Sequence, residues 1–566
     1  MARVAPQERK RAYRPKTRTG CLTCKYRRIK CSEERPACSQ CTSTSRVCDG
    51  YENPAPAQSS SLTATRLSSH ARRLIPRSFS TPSLDLFGGE EERRSFQFFI
   101  AKTAPQLAGD FECAFWERLL LQSVHHEPAI RHVTVALGSL HECFERNAGN
   151  PTSSGSQAVQ DSFALRQYLR AVRCLTSSTS GSQPLDVCLI ACILFACFEA
   201  MRGQSGSAIT HITSGLKILD ELRTSTMGTS VTLSVGRTPY VPLEIVCGLF
   251  TRLQAQITVD AGSISDQFAR QTVHRRSVAR CNLWPELVID PNRPMVFHSL
   301  ADARETLEIY TYYYRQRSTE LRSENAPAEL PSVQEHTGPT PSINSAAVNL
   351  RDTSMSLLAQ WSIALDRFLR ARGAPLTERE RRAVAILQLR KLDYLISLDI
   401  FQPAGQAEAG DHVQWDRYCS FFAEMATLAE SIVPLPSSAS PGRNCSCSVS
   451  PPKTFSLDLG IIAAMFNVAV RCRDPHIRRR AVGVLRASAV QEGIWNSAVV
   501  AAIAEKWIEI EEEGLEDVTS CADVPTVARL SDFLPIFDAE EPRALVYFSR
   551  SAMVSLGSAR AELFRW

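Results

Sequence analysis

"CLTCKYRRIKCSEERPACSQCTSTSRVC", residues 21–48, carries six cysteines at the spacing C-x2-C-x6-C-x6-C-x2-C-x6-C. Cys21, Cys24 and Cys31 form one half; Cys38, Cys41 and Cys48 repeat its rhythm. Lys25, Arg27, Arg28, Lys30 and Arg35 lie between them. Six cysteines are also the raw material of a disulfide framework. No apolar run follows Met1, however, so the chain reads as lacking a secretory leader and as working where thiols stay reduced. A zinc site fits better, because thiolates hold zinc in tetrahedral sets of four and C-x2-C turns two sulfurs onto one ion. Six sulfurs do not divide into fours. One ion leaves two thiols idle, and two ions need eight ligand positions. Six thiolates fill eight positions if two of them bridge both ions, and the internal repeat makes the first cysteine of each half, Cys21 and Cys38, the natural pair. Two Zn2+ with six thiolates carry a net charge of about −2, which neighbouring Lys and Arg offset.

Charge supports the same region as a functional unit. Residues 1–30 hold eleven Lys or Arg against the single acid Glu8, a local net of +10 in a chain of +5 overall. The rest of the chain is therefore mildly acidic. A basic end on such a body is the pattern of a polyanion-binding arm. The run "ERKRAYRPKTR", residues 8–18, also reads as a nuclear localisation signal.

With 566 residues, 44% hydrophobic and 22% charged, the chain has the composition of a multi-domain globular protein. Its longest apolar run, "VCLIACILFACF" at 187–198, is twelve residues long. A bilayer needs about 20, so the run reads as a buried helix and no membrane partner is expected. Cys188, Cys192 and Cys197 inside it read as core residues.

Four regions follow. Residues 1–20 read as a disordered basic arm, 21–50 as the metal-stabilised module, and 51–89 as a flexible linker with Pro54, Pro56, Pro76 and Pro82 and no heptad repeat. Residues 90–566 read as one large all-α domain. Helical periodicity appears near 158–175, 185–201, 206–222, 241–257, 301–316, 346–371, 377–401, 411–431, 456–472, 475–503 and 541–564, and alternating strand patterns are nearly absent. Pro128 opens another helix at its first turn. The polar breaks 319–344 and 434–453 read as loops.

The stretch 21–48 resembles the fungal zinc binuclear cluster (Zn2Cys6) transcription factors. All six cysteines, the basic "KYRRIK" between Cys24 and Cys31, Pro36, the preceding "RTG" and the following Gly50 and Tyr51 carry the resemblance. It implies two Zn2+ per chain, with Cys21 and Cys38 bridging, Cys24 and Cys31 completing one site, and Cys41 and Cys48 the other. It also implies a nuclear, sequence-specific regulator of RNA polymerase II genes that works with the transcription machinery. A short helix follows the first cysteine of each half, and the first helix sets its C-terminal end into the major groove of double-stranded DNA. At the matching positions, Arg28 reaches the guanines of a CGG-type triplet beside Arg27, while Lys25, Lys30 and Arg35 sit as phosphate contacts. More diffusely, "EERRSFQFFIAKTAPQLAG", "EPAIRHVTVALGSLHE" and "AITHITSGLKIL" resemble the helical regulatory region of filamentous-fungal regulators, some of which control secondary-metabolite gene clusters. Many relatives pair through a coiled coil after the linker. None is evident here, so the chain binds alone or forms a homodimer through the helical domain.

Two other functional classes make different demands on the sequence. An enzyme would need a site: His125, His126, His132 and His141 lie close in sequence but lack HExxH spacing, and no phosphate loop or nucleophile elbow appears. They read as ordinary helix histidines. A ligand-sensing helical protein is the alternative, since a body this size has room for an apolar cavity. The acidic and apolar segment 505–518 fits an activation segment but reads first as the amphipathic end of a domain helix.

Overall fold

The computed structural model describes residues 21–27, 29–34, 37–44, 47–48, 87–147, 154–177, 184–228, 239–258, 294–324, 341–400, 412–433, 454–538, 541–550 and 559–566. The basic arm, almost all of the linker, and the break 434–453 lie outside these residues. The chain divides into two compact units, Met1–Ser80 and Thr81–Trp566.

The first unit contains two short helices, α1 (Leu22–Arg27) and α2 (Ser39–Thr42), each beginning just after the first cysteine of its half. Its core consists of Cys21, Cys24, Cys31, Cys38 and Cys41, with Cys48 packed against them. Among the described residues no aliphatic side chain joins it, so hydrophobic burial contributes little to this core.

The second unit is a helical body. The helix Leu185–Met201 is apolar all round and buries thirteen of its residues, as a helix packed on every side must. Cys197 is fully buried there, and Cys188 and Cys192 are partly so. The helix Pro128–Asn147 packs closely on Glu90–Phe98: a Cβ at Gly138 would lie 2.0 Å from the Ser95 carbonyl oxygen. Only glycine permits that approach. A second apolar cluster, around Trp361, Leu387, Tyr394 and Leu398, is built by Leu300–Glu324, Pro341–Ala371 and Glu378–Ile400.

Buried ion pairs link these layers. Arg304 donates to Asp458 Oδ2 at 2.6 Å and lies over the Phe111 ring at 4.7 Å. Arg252 reaches Asp458 at 3.1 Å, and Arg390 reaches Glu308 at 2.8 Å.

The structure corrects the sequence reading in four places. The helix expected over 541–564 is absent. Strands β5 (Arg543–Ser549) and β6 (Arg560–Arg565) occur instead, antiparallel to each other, with β4 (Asp532–Phe537) on the other side of β5. In β5, Ala544, Val546 and Phe548 point inward at period two, which overrides the helical reading of an apolar run. The helix expected over 475–503 breaks at Ala489, whose φ is +49°. It divides into Pro475–Ser488 and Ser497–Glu511, separated by β2 (Val490–Glu492) and β3 (Trp495–Asn496) with Gly493 at φ +55° in the turn. Asp474 and Asn496 cap these two helices through their side chains. In 456–472 the helix starts only at Ile462, after β1 (Thr454–Ser456), which pairs with β2. Finally, the break expected at 319–344 is shorter, because one helix runs to Glu324 and the next begins at Pro341.

Candidate metal centre

The C-x2-C of each half straddles the start of a helix, which turns both sulfurs to one side. Cys24 N–H donates to Cys21 Sγ at 3.4 Å, and Cys21 N–H donates to Cys31 Sγ at 3.4 Å. Glu33, in the left-handed region at φ +63°, gives its N–H to Cys31 Sγ at 3.4 Å. Backbone donors of this kind stabilise thiolate. The halves are tied together outside the sulfurs. Thr23 Oγ1 donates to the Val47 carbonyl at 3.4 Å, Arg27 Nη1 donates to Thr44 Oγ1 at 3.2 Å, and Ser39 N–H donates to Ser32 Oγ at 2.9 Å.

Across the halves, Cys21 Sγ lies 3.5 Å from Cys38 Sγ and 3.9 Å from Cys41 Sγ, and Cys24 Sγ lies 3.6 Å from Cys38 Sγ. A tetrahedron of sulfurs around zinc at about 2.3 Å has edges of about 3.8 Å, so these spacings suit the ion. Two overlapping sets meet the requirement of mutual proximity within 4.8 Å: Cys21, Cys24, Cys31, Cys38, and Cys21, Cys38, Cys41, Cys48. Cys21 and Cys38 belong to both. Burial pushes the Cys24 thiol up to about 12 and raises Cys21 and Cys41 as well. Burial of this kind favours thiolates only where a cation offsets their charge, and zinc would supply that charge.

The basic side chains are seen unevenly. Lys30 is exposed, and Arg27 is partly buried against Thr44. Arg28, Arg35 and the Lys25 side chain lie outside the described residues.

The helical unit gives His132, His141 and His126 separate surroundings, and the His125 ring lies 6.3 Å from that of His126. His132 Nδ1 is 2.7 Å from Gln167 Oε1. His141 is buried between Thr103 Oγ1 and Gln106 Oε1, each at 3.0 Å, and burial lowers it to about 4. His126 stacks on Tyr240. The segment from 505 is the end of the Ser497–Glu511 helix, with Trp507, Ile508 and Ile510 buried. A polar surface pocket of about 320 Å³ is lined by Glu92, Phe163, Arg166 and Arg170. An apolar cleft beside Trp495, Phe537 and Trp566 holds about 20 Å³, less than one metabolite needs. No helix among the described residues is long and apolar enough to cross a membrane.

Fold and site together define a zinc-cluster DNA-binding protein with a large helical body. Residues 19–58 match the fungal Zn(2)-Cys(6) binuclear cluster domain, which binds two zinc ions. The chain is 26% identical over 634 residues to the aspercryptin biosynthesis cluster-specific transcription regulator atnN of Emericella nidulans, across 97% of this chain and 96% of that one. It is 30% identical over 210 residues to transcription regulator lscL of Purpureocillium lilacinum, covering 36% of this chain and 49% of the relative. Transcriptional regulatory protein moc3 of Schizosaccharomyces pombe shares 43% over 84 residues, 14% of this chain and 16% of that one. No solved structure matches the chain. The chain thus carries a fungal-type Zn(2)-Cys(6) domain, and the relatives it resembles are transcription regulators.

Proposed function

We propose that this regulator works in the nucleus on RNA polymerase II genes, reading a CGG-like triplet in the major groove through its zinc module. Cys21 and Cys38 bridge two Zn2+; Cys24 and Cys31 complete one site, and Cys41 and Cys48 the other. The observation that carries this is the pair of sulfur tetrads sharing Cys21 and Cys38. Arg28 grips guanine O6 and N7 bidentately. Lys25, Lys30 and Arg35 neutralise phosphates, and the basic residues before Cys21 add salt-dependent affinity. Arg27 has a second duty, since its bond to Thr44 braces the two halves.

The targets are genes of a biosynthetic cluster, a reading supported by the near full-length likeness to a regulator named for one. The chain binds alone or as a homodimer paired through the helical unit. Selection of DNA fragments bound by the full-length, zinc-loaded protein tests these points. A shared CGG-like triplet is expected, once for a chain that binds alone and twice at fixed spacing for a homodimer. A single triplet would refute pairing, and fragments without a shared sequence would refute base reading.

A further inference from the structure

Arg27 and Thr44 occupy equivalent positions in the two halves of the zinc module: each is the third residue after the second cysteine of its half, Cys24 or Cys41. Arg27 is the last residue of α1, and Thr44 lies two residues beyond the end of α2. Their side chains meet, with Arg27 Nη1 donating to Thr44 Oγ1 at 3.2 Å. Equivalent residues of a repeated unit touch where the two units face each other, so this contact marks the seam between the halves. Cys21 and Cys38, also equivalent, mark it too, with their sulfurs 3.5 Å apart.

Two other contacts across the module belong to segments that a metal would already hold. Thr23, bonded to Val47, stands beside Cys24, and Val47 stands beside Cys48. Ser32, bonded to Ser39, stands beside Cys31, and Ser39 stands beside Cys38. Once the thiolates ligate zinc, these neighbours have little freedom left. Arg27 differs, since it is three residues from Cys24 and four from Cys31, the middle of the span between two ligands. The Ile29 N–H donates to the Cys24 carbonyl at 3.2 Å, which winds this span on its own half. The bond to Thr44 ties it to the other half. The Thr44 end of that bond is fixed. Its hydroxyl donates to the Gln40 carbonyl at 2.9 Å, with the Cys41 carbonyl at 3.1 Å as a second acceptor, which leaves a lone pair for Arg27. Its β-branched side chain also has few rotamers to choose from. An arginine has several rotatable bonds, so ordering it at a helix end needs a fixed partner of this kind.

We propose that Thr44 is a positioning residue for base reading. It holds the Arg27 side chain, and with it the end of α1, at a set angle to the second half, and the next residue of the chain is Arg28. The proposal rests on Arg28 being the residue that grips guanine. A bidentate grip on guanine O6 and N7 needs both donors aligned with the base edge, so a misdirected helix end loses discrimination between bases. Phosphate contacts tolerate such an error, because attraction between charges makes no such demand on direction. Loss of the Thr44 hydroxyl therefore reduces the preference for the right sequence more than it reduces binding to DNA in general. A guanidinium has five N–H donors, so Arg27 can serve Thr44 and a phosphate together.

The test measures binding of the full-length, zinc-loaded protein to a CGG duplex and to a scrambled one, by fluorescence anisotropy at fixed salt, with zinc per chain measured on the same samples. T44V keeps the β-branched shape and loses the hydroxyl, whereas T44S keeps the hydroxyl. T44V should retain about two zinc ions per chain and lower the CGG-to-scrambled affinity ratio roughly fivefold to tenfold, with T44S close to wild type. In an R27A chain the hydroxyl has lost its partner, so adding T44V should lower the ratio no further. A wild-type ratio in T44V, a drop that T44S shares, loss of zinc by T44V, or an undiminished T44V effect in the R27A chain would overturn the proposal. A wild-type chain with no preference for the CGG duplex, or R28A with the wild-type ratio, would refute base reading by Arg28 and the positioning with it. A preference that R28A loses and T44V keeps would overturn the positioning alone.

Discussion

Cys38 and Cys48 differ in one respect that zinc stoichiometry can read. Cys38 lies in both sulfur tetrads, whereas Cys48 lies in one. A structural zinc with four ligands binds with about 10–16 kcal/mol at neutral pH, roughly 3–4 kcal/mol per ligand if shared evenly. C48S then weakens one ion by roughly 3–4 kcal/mol, a factor on the order of 10² to 10³ in affinity. C38S takes the same amount from each ion. Among the described residues the core of this unit is made of cysteines, so little apolar burial offsets that loss. Full-length variants are dialysed against a chelator that leaves wild-type protein loaded, and zinc per chain is measured by mass spectrometry. About two ions are expected for wild type, about one for C48S and near zero for C38S. Equal retention by C38S and C48S would refute the bridging role of Cys38, and a wild-type value near one would refute the two-ion cluster altogether.

Three further outcomes are expected. R28A should cost about 1–3 kcal/mol on a CGG duplex and little on a scrambled one, read by fluorescence anisotropy at fixed salt; an equal loss on both would make Arg28 a phosphate contact. Glu511 is buried and accepts from Arg473 Nη2, Arg478 Nη2 and the Leu530 N–H, each at 2.8 Å. E511Q leaves buried Arg473 without its carboxylate and Arg478 with only Glu512 at 3.6 Å, and should cost about 3–5 kcal/mol in urea unfolding; a loss under about 1 kcal/mol would show that the charge is dispensable. Glu492 is buried, and desolvation raises it from 4.5 to about 7 against the backbone N–H groups of Gly460, Ile461 and Ile462. The folded chain therefore holds this proton where the unfolded chain has lost it. Stability from this group is full below about 4.5 and declines as pH rises to about 7, on the order of 3 kcal/mol in all. E492Q should remove that part of the slope, and identical pH profiles of wild type and E492Q would refute the reasoning.

The zinc module was legible because metal coordination is a local constraint written in one residue type. Each half needs its sulfurs at fixed offsets along a helix start, and no distant contact alters that. The Leu185–Met201 helix was legible for a related reason, since burial on all sides demands apolar residues throughout. The strands near the C-terminus were not. The segment "RALVYFS" is apolar enough to pass as a helix face, and its period of two becomes decisive only when β4 and β6 pair with it. β6, "RAELFR", even uses good helix formers. The break at Ala489 is likewise imposed from outside. Glu492 beyond it accepts the Ile461 and Ile462 N–H groups at 2.8 and 3.2 Å, completing the start of a helix thirty residues earlier. No window of sequence around Ala489 contains that partner. Local ligand chemistry thus exposes the DNA-binding end of this regulator to sequence reasoning, whereas the helical body keeps its polar chemistry in long-range contacts that only the fold assembles.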